Sequence, residues 1–388
     1  MKYKTIKLSH TNEIIQTYGV NSLMAKVIES KKIDQKQFKS FMDPHLIYHD
    51  FSLFEEADET LERIEEAIAN KEKICIYGDY DCDGILATTI LVQAFHERGV
   101  EVGYHIPNRF TDGYGLNTTR VEQMAEKGYS LIITVDNGIK AFDAVEKAGE
   151  LGIDVIITDH HAFDGEVPVA YSIIHTKMSP KYPFKEICGG FIAYKLAAAL
   201  LKHHDPYLFT LASITTISDM MPLLDENRSL VRRGLQFMKQ YKYPSLELLK
   251  GSRDYNATTI GFTIAPRINA FGRLPELVNP VYLVKYFLKE ADPAYQEKIS
   301  NYASKINSKR QSLTTSLYKE AVTDTSSPCL FYGSENMHEG LVGLVAGKYT
   351  REYEQPAFVM HYNPKEEIYK GSARGIDGFN IYNFFTFI

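Results

Sequence analysis

The stretch Lys73–Ile90, KICIYGDYDCDGILATTI, constrains the fold of this chain more than any other. Ile74–Tyr77 is a short apolar run, the pattern of a buried strand. Gly78 ends it, and aspartates follow at alternate positions, Asp79, Asp81 and Asp83, closed by Gly84. Ile85, Leu86, Thr89, Ile90, Val92 and Phe95 then recur at helical spacing. Three carboxylates therefore occupy the turn between a strand and its helix, the edge where open α/β sheets bind ligands. Carboxylates this close repel one another, and a divalent cation with oxygen ligands relieves the repulsion. The alternative is a solvated acidic turn, against which the flanking glycines and the buried strand weigh.

The same strand-then-helix pattern recurs downstream. Glu101–Ile106 reads as a second strand leading into PNRFTDGYGL, and Leu131–Val135 as a third ending in Asp136-Asn137-Gly138. Ala141–Leu151 is helical, and Val155–Thr158 is a fourth strand ending in Asp159-His160-His161. Such alternation predicts an α/β fold with a doubly wound, mostly parallel sheet. GDYDCDG, TVDNG and TDHH then share one edge of it. Helix capping explains one aspartate at such a position, but not a cluster at three strand ends. Aspartate mixed with histidine favours a borderline cation such as Mn²⁺, with Mg²⁺ also compatible. Two ions suit this many ligands, and paired metals are a recurrent device for splitting phosphate esters. Adjacent histidines point apart, so one is expected to ligate and the other to face substrate phosphate or to be structural.

A chain of 388 residues exceeds one ordinary core. With 44% hydrophobic and 24% charged residues, it reads as a water-soluble protein. No stretch approaches the roughly 18–20 apolar residues of a membrane span, and MKYKTIKLSH lacks a signal-peptide core. Cys75, Cys82, Cys188 and Cys329 form no metal or disulfide pattern, which fits a cytoplasmic location. The net charge of −6 gives no general attraction to nucleic acid, so any such binding needs local basic patches.

Four regions are expected: a helical N-terminal segment (1–50), a catalytic α/β domain (51–225), a connecting region (226–325) and a smaller α/β unit (326–388). The first includes helices over Asn21–Ser30 and Asp34–Met42, and Phe51–Asn70 reads as one helix feeding the first strand. Cys188-Gly189-Gly190 opens a helix, where glycines admit either an anion or a close backbone. Asp219 ends the helical run LFTLASITTISD and alone reads as a surface residue. Arg228, Arg232, Arg233, Lys239 and Lys242 read as a solvated basic face. IAPRINAFGRL sets Arg267, Asn269 and Arg273 among apolar residues, either to clamp phosphate or to bridge domains. Pro293–Val322 is one long helix, followed by strands at Pro328–Tyr332, Ala357–His361 and Ile368–Ala373 and a helix over Gly340–Glu352. The chain ends in the apolar FNIYNFFTFI, expected to lack a partner.

Taken in order, YGDYDCDG, IPNRFTDGYGL, ITVDNGI, ITDHH, SDMMPL, APRINAFGRL, LVGLVAGKYTREYEQPAFVM and KGSARGIDGFN give the chain its resemblance. It resembles the DHH phosphoesterase superfamily, and within it the bacterial exonucleases that degrade single-stranded DNA from 5′ to 3′. The resemblance implies a DHH domain joined by the long helix to an incomplete DHHA1-type domain. It implies two metal ions, Mn²⁺ or Mg²⁺, on Asp79, Asp81, Asp83, Asp136, His160 and Asp219, with Asp136 bridging. Asp81, Asp136 and His161 would be catalytic, His161 at the scissile phosphate. Arg109 would reach DNA phosphate, Arg267, Asn269 and Arg273 would line the DNA path, and Ser372 and Arg374 would hold the terminal 5′-phosphate. Single-stranded DNA is the implied substrate, in repair and recombination, with a single-strand-binding protein and a helicase as implied partners and no membrane. The family continues past GSAR into a glycine-glycine-histidine motif and an OB-fold, so a C-terminal truncation with weaker binding is expected. Two other readings stay open: a nanoRNase-like phosphodiesterase for short oligonucleotides, and a catalytically silent DNA-binding scaffold.

Overall fold

The computed structural model describes residues 7–42, 45–113, 115–321, 325–381 and 384. Five parallel strands form the larger sheet: β1 (Lys73–Tyr77), β2 (Gly103–His105), β3 (Tyr129–Val135), β4 (Asp154–Thr158) and β5 (Ser172–Ile174). Their order is β2-β1-β3-β4-β5. Tyr77 pairs with Thr134 and Val135 with Thr158, so the turns leaving β1, β3 and β4 emerge side by side. Register alone thus gathers the acidic turn, Asp136 and the Asp159-His160-His161 triplet.

The Cys82–Glu97 helix is buried continuously from Cys82 to Phe95. A helix apolar all round must be covered on all sides. It packs against the equally apolar helices Gly189–Leu201 and Pro206–Ser218. Lys195 is a buried charge in this layer, and its Nζ donates to Glu226 Oε2 at 2.7 Å and to the His49 carbonyl at 2.5 Å. Tyr182 donates to the other Glu226 oxygen at 2.5 Å. This network pins the segment before Phe51 to the buried helical layer.

The smaller sheet has the order β6-β7-β8, from Leu330–Ser334, Ala357–Asn363 and Ile368–Arg374. β6 runs parallel and β8 antiparallel to β7, and the Val342–Tyr353 helix covers β7 and β8. The long helix, Pro293–Glu320, lies between the two sheets in sequence. One apolar core runs from Phe51 and Ile76 through Phe271 and Tyr286 to Leu330 and Val359.

Most expected elements stand within two residues of their expected limits; the helices Thr11–Tyr18 and Thr118–Glu126 were not anticipated, and three further differences stand out. β5 has no counterpart in the sequence reading, because three residues cannot display a period. Phe51–Asn70 is not one helix: Asp50 caps a 3₁₀ turn at Phe51–Leu53, and the α-helix begins at Ala57. The apolar C-terminal segment has a partner, since the Phe384 ring lies 5.6 Å from Phe358 on β7. Residues 382, 383 and 385–388 of that segment, Val322 of the long helix and Tyr114 of IPNRFTDGYGL fall outside the described residues. Among the described residues no helix is long and apolar enough to cross a membrane.

Candidate metal centre

The acidic turn is built by local hydrogen bonding. Asp81 caps the Cys82–Glu97 helix, its Oδ1 accepting from Asp83 N at 2.8 Å and Gly84 N at 3.1 Å. Gly84 is obligatory, since a Cβ there would lie 2.5 Å from Asp79 N. Asp83 is buried, and its two carboxylate oxygens accept from Gly189 N and Gly190 N, each at 2.8 Å. The Cys188-Gly189-Gly190 motif thus takes both roles left open by its sequence. It receives an anion, the Asp83 carboxylate, and it allows close packing, since a Cβ on Gly189 would lie 2.6 Å from Asp136 Cβ.

Asp136 has φ +62°, left-handed backbone that a non-glycine residue rarely adopts and that clusters at functional sites. Its neighbour Asp159 holds the histidines. One oxygen accepts from His160 N at 2.7 Å, His161 N at 3.1 Å and His161 Nδ1 at 2.7 Å, and the other from Ile139 N at 3.0 Å. Sequence reasoning named no role for Asp159; only its adjacency to the histidine pair hinted at one.

The side chains converge on a single spot. His160 Nε2 lies 3.0 Å from Asp136 Oδ1 and 3.7 Å from both Asp83 Oδ2 and Asp219 Oδ2. Asp79, Asp81 and Asp136 form one group with ligand atoms within 4.8 Å, and Asp83, His160 and Asp219 another. His161 meets Asp136 and His160 in a third. Asp219, unremarkable in sequence, arrives because the Pro206–Ser218 helix ends against the buried Cys82–Glu97 helix.

Four atoms here test the fit of a cation. Asp79 Oδ1, Asp136 Oδ1, His160 Nε2 and Asp219 Oδ2 are buried and make no hydrogen bond. An orphaned buried acceptor costs about 1–3 kcal/mol, so four at one spot need a common partner. Oxygen and imidazole donors around that spot fit Mn²⁺ or Mg²⁺. The protonation directions agree. Burial, then neighbouring carboxylates, hold Asp79 and Asp136 well above the usual carboxylate range. Burial, then Asp83 and Asp81, push Asp219 up to about 8. Burial lowers His160, leaving its imidazole neutral, as a ligand must be. For His161 burial opposes the charge, but the Asp159 carboxylate outweighs it and raises the ring to about 9.

Beside the acidic turn, residues of both sheets' surroundings enclose a cavity of about 630 Å³ lined by Tyr80, Arg109, Arg273, Ser372 and Arg374. The Arg109 guanidinium lies 4.3 Å from the Tyr80 ring centroid, and its buried Nε makes no hydrogen bond. Burial, then the Arg109 and Arg310 charges, depress Arg273 to about 10. Asp112 and Glu339 also line the cavity, but Asp112 is paired with Arg120 at 2.7 Å, and three guanidinium groups crowded on one cavity make an anion site. Arg310, from the long helix, does not line the cavity but adds its charge to this cluster. Gly343 lets the Val342–Tyr353 helix approach, since a Cβ there would lie 3.2 Å from Arg374 Nη2 and from Ser372 Oγ. Two other residues expected on the DNA path do not line this cavity. Arg267 donates to the Leu249 carbonyl and does not line this cavity, and Asn269 Oδ1 accepts from Cys82 N at 2.7 Å, steadying the acidic turn.

The DHH family, N-terminal domain, matches residues 73–218. The chain is 38% identical over 335 residues to the single-stranded-DNA-specific exonuclease RecJ of Bacillus subtilis, an alignment covering 84% of this chain and 42% of that protein. Against the protein of the same name from Escherichia coli the identity is 30%, covering 84% of this chain and 61% of that one. The chain thus spans about half the length of these curated relatives. Its fold superposes on the crystal structure of RecJ in complex with Mn²⁺ from Thermus thermophilus with a TM-score of 0.78 and 26% identity, covering 92% of this chain and 53% of that one. A second RecJ structure, bound to manganese, gives a TM-score of 0.72 at 29% identity, covering 79% of this chain and 80% of that one.

Proposed function

This chain belongs to the DHH superfamily, in its RecJ group, and on that ground we propose that it is a metal-dependent 5′→3′ exonuclease releasing mononucleotides from single-stranded DNA. The observation that carries the reading is the set of four buried, unbonded donor atoms on Asp79, Asp136, His160 and Asp219. In this reading Asp79, Asp81, Asp83, Asp136, His160 and Asp219 hold two Mn²⁺ or Mg²⁺ ions. When bound, such ions polarise the phosphoryl oxygen and lower the pKa of water.

The chain's own residues do the rest. Asp83, gripped by Gly189 and Gly190, and Asp81, spent on a helix cap, are rigid before substrate arrives. His161 is an imidazolium at neutral pH, and Asp159 occupies its Nδ1. Contact with a phosphate oxygen is therefore made through Nε2, which stabilises the charge that develops there. Arg109, Arg273, Ser372 and Arg374 receive the terminal 5′-phosphate, which sets polarity. We assign residues 51–225 to the catalytic domain, 226–325 to the connection and 326–388 to the substrate-binding unit. A cytoplasmic location is supported by four cysteines, none of them disulfide-bonded. Partners such as a single-strand-binding protein or a helicase belong to the same proposal.

The test is Mn²⁺-dependent digestion of a 3′-labelled, 5′-phosphorylated single strand, beside the duplex and a di- to pentanucleotide series. Stepwise shortening from the 5′ end, absent in Asp136→Ala, is expected. Cleavage of only the shortest substrates would replace this reading with an oligonucleotide phosphodiesterase, and binding without cleavage by a scaffold.

A further inference from the structure

The helical stretch that crosses the acidic turn has one face that packing does not explain. It comprises Ala257–Thr259, a π-helical turn over Ile260–Ile264 and the helix Ala265–Arg273. From Thr259 onward most of its residues are buried; Phe262 is exposed, and Gly261, Pro266, Arg267, Asn269 and Arg273 are half-buried. Arg267 turns to the Leu249 carbonyl, which leaves Phe262, Pro266, Asn269 and Arg273. Spacings of four, three and four residues set these on one face. Two of them have partners in the site already described. Asn269 accepts from Cys82 N, and Arg273 lines the arginine cavity. The other end of the stripe is Phe262, whose side chain is 80% exposed. Gly261 keeps this end beside the helix that presents Asp219, since a Cβ on Gly261 would lie 3.6 Å from Ile217 Cγ2. Single π-turns in helices recur at functional sites. A lone exposed aromatic is ordinary. One at the end of a stripe that borders the carboxylates and finishes in a guanidinium is not.

We propose that Phe262 is a stacking platform for a nucleobase on the 3′ side of the scissile phosphate. The inference rests on the nuclease reading above and deepens it by naming where the strand enters. At the helical rise, Arg273 lies about 6 Å along the axis from Asn269, and Phe262 about 10 Å in the opposite direction. At 3.4 Å per stacked nucleotide the second distance is about three steps, and the first spans the single nucleotide to be released. A strand with its 5′ end among the arginines and its scissile phosphate at the carboxylates brings roughly its third to fifth base over Phe262. Stacking accepts any base, because each has a π face, so the contact adds affinity without sequence preference. A duplex keeps those faces inside its own stack and gains nothing from the ring.

The test uses Phe262→Leu, which keeps apolar bulk and removes the ring, and Phe262→Tyr, which keeps the ring. Both side chains stand in solvent, and thermal melts check that the fold is intact. Binding of a 5′-phosphorylated, 3′-labelled oligothymidylate is read by fluorescence anisotropy with Ca²⁺, under conditions where no shortening occurs. The leucine variant is expected to bind about tenfold more weakly and the tyrosine variant to stay within about twofold of the native protein. When the third to fifth bases are abasic, the native protein is expected to lose the same factor and the leucine variant nothing more. Unchanged binding by Phe262→Leu, or equal losses on intact and abasic strands, overturns the proposal. So does a leucine variant that loses self-association in gel filtration while binding DNA normally, which would assign the ring to a second copy of this chain. A native protein that neither binds nor shortens the strand defeats the nuclease reading itself. One that shortens it at the same rate and affinity without the ring defeats only the stacking role.

Discussion

Gly189 N donates to Asp83 Oδ2 at 2.8 Å, joining a helix start to a strand-end carboxylate 106 positions earlier in the chain. The bond works only because Gly189 has no side chain, since a Cβ would sit 2.6 Å from Asp136 Cβ. Gly189→Ala must displace Asp136, Asp83 or the helix start. Overpacking of this kind costs about 1–3 kcal/mol of stability. A larger effect is expected on Mn²⁺ affinity, because two ligands move. Denaturant titration and calorimetric metal titration of the same variant check both, and unchanged affinity would mean that the carboxylates relax without loss.

Asp159 acts through His161. With Asp159→Asn the hydrogen bond survives in form but the charge is gone. The His161 pKa, held up at about 9 against burial by that carboxylate, should fall toward or below its ordinary 6.5. Proton-detected titration of the metal-free protein reads this directly. The rate on single-stranded DNA should drop by about 10²-fold at neutral pH, with the alkaline limb moved to lower pH. A rate loss with an unmoved limb would make Asp159 purely structural.

The metal-free protein should lose stability as pH rises. Asp219, at about 8 when folded against an ordinary 3.8, keeps a proton that the unfolded chain gives up. Its contribution is full below about pH 4 and is lost as pH climbs toward about 8. Asp79, Asp83 and Asp136 are raised and act in the same direction. His161 does so between 6.5 and about 9, whereas His160, lowered by burial, acts in the opposite sense below 6.5. The melting temperature in EDTA should therefore fall between about pH 5 and pH 8. The gain on adding Mn²⁺ should grow over the same interval, because the cation displaces those protons.

Lys195 and Glu226, both fully buried, hold the segment before Phe51 through the His49 carbonyl. Lys195→Met leaves Glu226 charged and unpaired, at a cost of about 3–5 kcal/mol. Adding Glu226→Leu should recover much of that loss, because the desolvated charge goes too. Equilibrium unfolding of the single and double variants measures the difference. A double variant as unstable as the single one would show that Tyr182 and His49 depend on the pair.

The sequence by itself determined what is local. The acidic turn could be read in Gly78, Asp79, Asp81, Asp83 and Gly84, because a strand end, a helix cap and three carboxylates lie within a few residues. Strand-helix alternation carried the parallel sheet, because burial on both faces writes apolar runs into β1, β3 and β4. Tertiary structure decided what depends on distant chain segments meeting. Asp219 looked like a surface residue until its helix packed on the Cys82–Glu97 helix and turned its carboxylate toward His160. Gly189 and Gly190 admitted two readings until Asp83 was found between their amides. Arg267 and Arg273 are equivalent in the motif, yet one is spent on the Leu249 carbonyl and the other opens on the arginine cavity. The physical reason is common to all three: a side chain's chemistry is written in its residue type, but its partner is set by burial and register across the whole chain.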